Sequence, residues 1–233
     1  VNGSSPLYDD PALAAAYARV TAENVCNARY ERPALRALAG DVDGLDVLDA
    51  GCAAGEHAAW FAARGARVVA LDASEAMVRL ARERLGEGAR VVRHDLAEPL
   101  PFADGSFDLV VSSLTLHYLA DWRPALREMR RALRPGGRLV ASTHHPYLTV
   151  SDGEPYHAVR LVDDAWSGFG EQPVAVRFYH RPLERIIDDL GAAGFALRAL
   201  REPLPDDEAD ARDPRLAAAL RTRPWFLLIE AVR

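Results

Sequence analysis

A chain of 233 residues, 49% hydrophobic and 27% charged, is large enough to bury a full α/β core, which argues against a disordered or disulfide-stapled protein. Its 34 acidic and 28 basic residues give a net charge of −6 with arginines interrupted by acids throughout, so no phosphate-binding face and no nucleic-acid partner is expected. Two cysteines (Cys26 and Cys52), no leader-like pattern and no uncharged apolar run of about 18 residues lead to the expectation of a cytoplasmic protein with no membrane partner.

The first elements in chain order are helical. Ala12–Val20 and roughly Asn27–Ala39 carry helical patterns ahead of any strand. From residue 45 to 143 short β-rich runs alternate with amphipathic segments. The predicted strands are Asp46–Asp49, Arg67–Asp72, Arg90–His94, Phe107–Ser112 and Arg138–Thr143, several of them continuous apolar runs of the kind a parallel sheet buries on both faces. Ser74 is placed to cap a helix bearing Met77, Leu80, Ala81 and Leu85 on one face. Trp122, Leu126, Met129 and Leu133 mark another, ending at the turn signal Arg134-Pro135-Gly136-Gly137.

After residue 150 an aromatic- and Pro-rich stretch has no clean period. A helix at Pro182–Ala193, a strand at Phe195–Arg201, an acidic loop over Glu202–Pro214 and a strand at Trp225–Val232 follow. With no crossover helix expected between them, the last two strands read as an antiparallel pair at the sheet edge. The order predicts one α/β domain with an open, doubly wound sheet.

In such a sheet ligands bind beyond the carboxyl ends of the strands. Val47-Leu48-Asp49-Ala50-Gly51-Cys52-Ala53-Ala54-Gly55 turns from the first strand into its helix through small residues, so a ligand can approach the backbone closely. Cys52 reads there as a small apolar group. Asp72 ends the next strand, where a carboxylate accepts both hydroxyls of a ribose. The turn lacks the third glycine of the dinucleotide fingerprint. Asp49 just before it would repel a pyrophosphate, since like charges about 4 Å apart cost several kcal/mol. A cofactor that is cationic at this end, such as S-adenosylmethionine (SAM), is therefore favoured over NAD.

Several stretches carry a resemblance: the turn at 47–55, Val69-Ala70-Leu71-Asp72-Ala73-Ser74, Asp95-Leu96, Leu100 to Asp108, Leu116-His117, and Leu133-Arg134-Pro135-Gly136-Gly137. Over residues 47–143 the chain resembles the class I SAM-dependent methyltransferases, in particular a small-molecule branch similar to the quinone-biosynthesis enzymes. It departs at Ala53, where that family usually has glycine. The resemblance implies a Rossmann-like, mostly parallel seven-stranded sheet with an antiparallel last strand. It also implies a helical lid over residues 1–44, a SAM-binding core over 45–143, and an acceptor-side insertion with terminal strands over 144–233. Asp49 and Gly51 are then expected at the methionine end of SAM, with Cys52, Ala53 and Gly55 in the same turn and Ser112 lining the methionine pocket. Asp72 is expected on the ribose, Ala73 and Met77 beside the adenine, and Asp95 and Leu96 at its amino edge.

Methyl transfer asks the protein to position an acceptor and, where needed, to take its proton. His117, after the fourth strand, is a candidate base or a wall of the SAM pocket. His144 and His145 follow the fifth strand, with His145 preferred, and His180 opens a late helix. Tyr8, Tyr17, Tyr30, Tyr147, Trp166, Phe169, Phe178 and Tyr179 are the candidate acceptor walls. The histidine spacing fits no metal motif, and no G-x-S-x-G elbow supports a hydrolase. The expected activity is methylation of a small organic acceptor, foremost at a hydroxyl or phenol oxygen. N- or C-methylation, a nicotinamide oxidoreductase and a SAM-binding protein without transfer activity stand as alternatives.

Overall fold

Short apolar stretches with charged residues mostly at their ends become the strands of the sheet, most of them covered on both faces. In the computed structural model, which describes residues 6–150 and 154–233, the elements run α1 (Pro6–Asp9), α2 (Pro11–Glu23), a π-helical turn (Asn27–Glu31), α3 (Arg32–Ala39), β1 (Asp46–Ala50), α4 (Glu56–Ala62), β2 (Arg67–Asp72), α5 (Glu75–Leu85), β3 (Arg90–Arg93), β4 (Phe107–Ser112), α6 (Arg123–Ala132) and β5 (Leu133–His144). The distal part adds β6 (Arg160–Trp166), β7 (Val174–His180), α7 (Leu183–Ala192), β8 (Ala196–Arg201), α8 (Ala209–Arg212), α9 (Pro214–Thr222) and β9 (Phe226–Val232).

Seven strands form one sheet in the order β3-β2-β1-β4-β5-β9-β8. β1 to β5 are parallel, and β9 runs antiparallel between β5 and β8. This is the expected Rossmann-like sheet. Strand alternation sends neighbouring residues into two different cores. Leu48, Val110 and Leu139 pack with Trp122, Leu126 and Met129 on one face. Val47, Leu109 and Val140 pack with Leu35, Ala58 and Phe61 on the other.

Four local expectations are corrected. The Arg134–Gly137 turn is absorbed into β5: Leu133 pairs with Phe107 and Arg138 with Leu109 across an irregularity, with Gly136 at φ +77°. The stretch after residue 150 contains a two-stranded hairpin of β6 and β7, paired from Arg160–His180 to Trp166–Val174. His180 ends β7 instead of opening a helix, and α7 starts at Leu183 after Pro182. The acidic loop gives way to α8 and α9, the latter capped by Asp213 accepting from the Leu216 amide, so helices do separate the last two strands.

The N-terminal helices lie against the carboxyl edge of the sheet. Tyr8 and Tyr17 join Ala53, Ala54 and Met77 in one apolar cluster, and meet Val176 and Phe178 of the hairpin in another. Residues 1–5 of the segment read as a lid lie outside the described residues. Among the described residues no helix is long and apolar enough to cross a membrane.

Candidate active site

The turn after β1 is folded tightly onto β2. The Gly51 and Cys52 amides both donate to the Leu71 carbonyl at 2.9 Å. Gly51, at φ +87°, admits no side chain, because a Cβ there would lie 2.3 Å from Thr115. Ala53 adopts φ +46°, a left-handed conformation that glycine takes at far lower cost. Asp72 pins both sides of the opening: one carboxylate oxygen accepts from the Ala53 amide and the other from Ser74, each at 2.9 Å.

A cavity of about 950 Å³ opens beyond these strand ends. Gly51, Ala53, Asp72, Ala73, Met77, Asp95 and Leu96, all expected at the cofactor, line it together. Asp49, Cys52, Gly55, Ser112 and His117, also expected at the cofactor, do not line it: Gly55 packs on Ala81 and Leu85, the Ser112 hydroxyl donates to the Ala50 carbonyl, and His117 lines a second cavity. Glu75, Arg93, Ser113, Leu114, Thr115 and Tyr118 also line it and escaped the sequence reading. The signal for Ser113–Thr115 was their place just past β4 on the carboxyl edge.

Asp49 is 1% exposed, and neither of its carboxylate oxygens has a hydrogen-bond partner in the protein. Burial pushes its pKa up to about 6, His57 and the nearby Ala58 amide oppose that shift, and Asp72 and Glu31 add to it. A buried carboxylate without a well-formed hydrogen bond is costly until a donor or cation satisfies it. The cavity itself carries Asp9, Asp72, Glu75 and Asp95 against one guanidinium, Arg93. The tight glycine cradle, this acidic lining and the buried Asp49 behind it fit a cationic nucleoside such as SAM and oppose a pyrophosphate.

A second cavity of about 980 Å³ shares the wall formed by Tyr8, Tyr17, Leu114 and Tyr118. The Tyr8 and Tyr118 hydroxyls are hydrogen-bonded at 2.5 Å, and Tyr8 meets Tyr17 edge-on. Leu114, at φ +47°, is held by its amide donating to the Ser142 carbonyl and hydroxyl. Of the expected acceptor walls, Tyr8, Tyr17, Trp166, Phe169 and Phe178 line this cavity. Tyr30, Tyr147 and Tyr179 do not: Tyr30 is core, its hydroxyl accepting from the Trp225 amide, Tyr147 is half exposed, and Tyr179 stands opposite Leu161 in the hairpin ladder.

The histidines separate in the same way. His117 and His144 line the second cavity and stack with ring centroids 3.9 Å apart and planes 12° apart. Both His117 ring nitrogens and Nδ1 of His144 lack a partner in the protein. Burial drives the His117 pKa well below its usual value, and His144 lowers it further. Burial brings His144 to about 4 against the pull of Asp164. Both rings are therefore neutral at pH 7. His145 faces away from both cavities, with Nε2 3.0 Å from Glu202 and Nδ1 accepting from the Tyr147 amide. His180 is bonded to the Thr149 hydroxyl and the Tyr156 carbonyl, also outside both cavities. Among the described residues, no three His, Cys, Asp or Glu are grouped to hold a metal ion.

A family model described as a methyltransferase domain matches residues 48–141. The chain is 34% identical over 175 residues, 74% of its length, to a malonyl-[acyl-carrier protein] O-methyltransferase of Erwinia pyrifoliae, and 39% identical over 138 residues, 58% of its length, to a demethylmenaquinone methyltransferase of Clavibacter sepedonicus. These matches span only 62% and 56% of the two relatives' own lengths. The crystal structure of an S-adenosylmethionine-dependent methyltransferase from Mesorhizobium loti superposes with a TM-score of 0.71 at 34% identity, covering 87% of this chain and 97% of that one.

Proposed function

This chain belongs to the SAM-dependent methyltransferase family, and we propose that it methylates a small organic acceptor at a hydroxyl or phenol oxygen. One observation carries the reading: an aromatic cavity bearing two unpartnered neutral imidazoles abuts the cofactor cavity across a single shared wall. SAM, when bound, supplies a methyl group already activated on a sulfonium.

The chain's own residues do the rest. Asp72 and Asp95 offer carboxylates to the ribose and the adenine, with Ala73, Met77 and Leu96 as apolar neighbours. Asp49 offers its unsatisfied carboxylate to the ammonium. Tyr8 and Tyr17, from the N-terminal helices read as a lid, complete the wall and keep bulk water from the junction. His117 and His144 accept a hydrogen bond from the acceptor hydroxyl and take its proton as the new bond forms. His145 and His180, whose nitrogens are engaged elsewhere, act in support: His145 caps the turn after β5, and His180 anchors Thr149 and Tyr156 beside the second cavity. Residues 144–233 supply most of the acceptor side of a single domain, completed by Tyr8, Tyr17, Leu114, His117 and Tyr118.

Methyl-labelled SAM offered with a panel of phenols, aliphatic alcohols, amines and activated carbon acids tests the reading. Label should appear as an ether. Label only on nitrogen or carbon would overturn the oxygen assignment. SAM binding with no transfer to any acceptor would favour a cofactor-binding protein without activity.

A further inference from the structure

Building on the methyltransferase reading, we infer that the acceptor enters the second cavity as an uncharged, planar aromatic hydroxyl compound and that carboxylate acceptors are rejected. Three features of the cavity lead there.

The first is shape. His144 lies parallel to His117 on one side and to Phe226 on the other, at 3.9 and 6.0 Å between centroids, with Phe178 edge-on at 4.4 Å. Trp166, Phe169 and Tyr17 continue the aromatic lining. Flat walls of this kind gain most from a flat guest.

The second is charge. The chain contains no lysine, so any cation facing an anionic acceptor must be an arginine. Among the described lining residues the one guanidinium is Arg160, and it is committed: Nη2 donates to the Thr149 carbonyl at 2.5 Å, and Nε faces Glu154 at 3.2 Å. Glu154, Asp163 and Asp164 all lie on the lining. Asp164 accepts from the Trp166 indole, and Asp163 pairs with Arg177 on the neighbouring strand. The lining is therefore net negative, and its one guanidinium already faces a carboxylate.

The third is hydrogen-bond polarity. Each neutral ring carries one N–H donor and one acceptor nitrogen, and with both His117 nitrogens and Nδ1 of His144 unpartnered the pair needs a guest that can donate as well as accept. A hydroxyl does both. A carboxylate brings only lone pairs and leaves the site's acceptors unpaired, the mismatch that gives polar pockets their greatest selectivity.

In the reaction, a lone pair of the hydroxyl oxygen forms the new C–O bond while the methyl–sulfur bond breaks with its electron pair remaining on sulfur. The proton leaves that oxygen for an imidazole nitrogen and then for water. The oxygen becomes strongly acidic as it is alkylated, so a weakly basic imidazole is sufficient.

The experiment compares matched pairs on one scaffold, 2-naphthol with 2-naphthoate and 7-hydroxyquinoline with quinoline-7-carboxylate, at pH 7.5. Binding to the full chain saturated with S-adenosylhomocysteine is followed by Trp166 quenching, with Trp166→Phe as control, and by calorimetry. The hydroxyl member should bind at least tenfold more tightly, and Glu154→Gln with Asp163→Asn should narrow the gap. Equal or tighter binding of the carboxylates would overturn the inference, as would no binding by any hydroxyl compound at 1 mM. Methyl transfer to a carboxylate would sink the acceptor class and leave the methyltransferase reading standing. Failure to bind SAM would remove the reading beneath it.

Discussion

The Glu31 carboxylate, carried by the N-terminal helical segment, accepts a hydrogen bond of 2.5 Å from the Ser142 hydroxyl near the end of β5. Glu31 is fully buried, accepts a second bond from Ser113, and lies 3.5 Å from His57. Burial alone would raise its pKa, but His57 and the two hydroxyls hold it below the usual carboxylate value. Through Ser142 this acid steadies the left-handed Leu114 in the wall between the cavities. Glu31→Ala should cost about 1–3 kcal/mol by leaving buried polar groups unpaired. Calorimetry should show a Tm several degrees lower, and the acceptor KM should rise more than the SAM Kd.

Asp72→Ala should weaken SAM binding more than tenfold in titration calorimetry. The variant loses the carboxylate offered to the ribose and the anchor of the Ala53 and Ser74 amides. Unchanged affinity would mean that the ribose lies elsewhere.

SAM affinity should fall as pH drops through about 6. Asp49 is the titrating group, its pKa raised by burial. Below that value it is protonated and neutral before the ligand arrives, so binding loses up to tenfold per pH unit. His57 on α4, Glu31 on the π-helical turn and Asp72 on β2 face the same group, so Asp49→Asn is the control. That variant should bind more weakly at pH 7.5 with a flatter profile between pH 5 and 7.

His144→Phe keeps the aromatic stack and removes a proton acceptor. Turnover should fall about a hundredfold with SAM affinity intact. The same variant reads out stability. The folded-state pKa of His144, about 4, lies below that of the unfolded chain, so between pH 6.5 and 4 the unfolded state binds more protons. The wild type therefore loses stability from this ring as pH falls through that window and none above it. The gap between wild-type and His144→Phe Tm values should shift in favour of the variant on going from pH 7 to 5.

Ala53→Gly should stabilise the chain. The left-handed backbone at φ +46° costs alanine about 1 kcal/mol more than glycine. For a domain of this size the gain is a Tm about 2–4 °C higher by scanning calorimetry.

The parts of this molecule that were legible in the sequence are local ones. Asp72 and the glycine turn lie at strand ends, and the position of strand ends in a parallel sheet determines what they face. The hairpin of β6 and β7 was hidden because Arg160–Trp166 holds two adjacent acids and exposes residues on both faces, which erases the period of two. His144 and His145 differ by one position at a strand end, and only the pairing of His144 with Phe226 decides which ring enters the cavity. Tyr30 looked like a wall because it is aromatic and N-terminal. Its hydroxyl instead meets the Trp225 amide, 195 residues away, a contact no local pattern announces.

The order of the strands also divides the molecule's capacity for change. The first cavity, the proposed donor side, is built at the ends of β1, β2, β3 and β4, the second, the proposed acceptor side, from segments at β4, β5 and β9 together with the hairpin, and only Tyr8, Tyr17, Leu114 and Tyr118 line both. On the proposed assignment, mutations in the hairpin should change acceptor preference while SAM affinity stays the same. The four shared residues have no such freedom, since any exchange among them is felt by both halves at once.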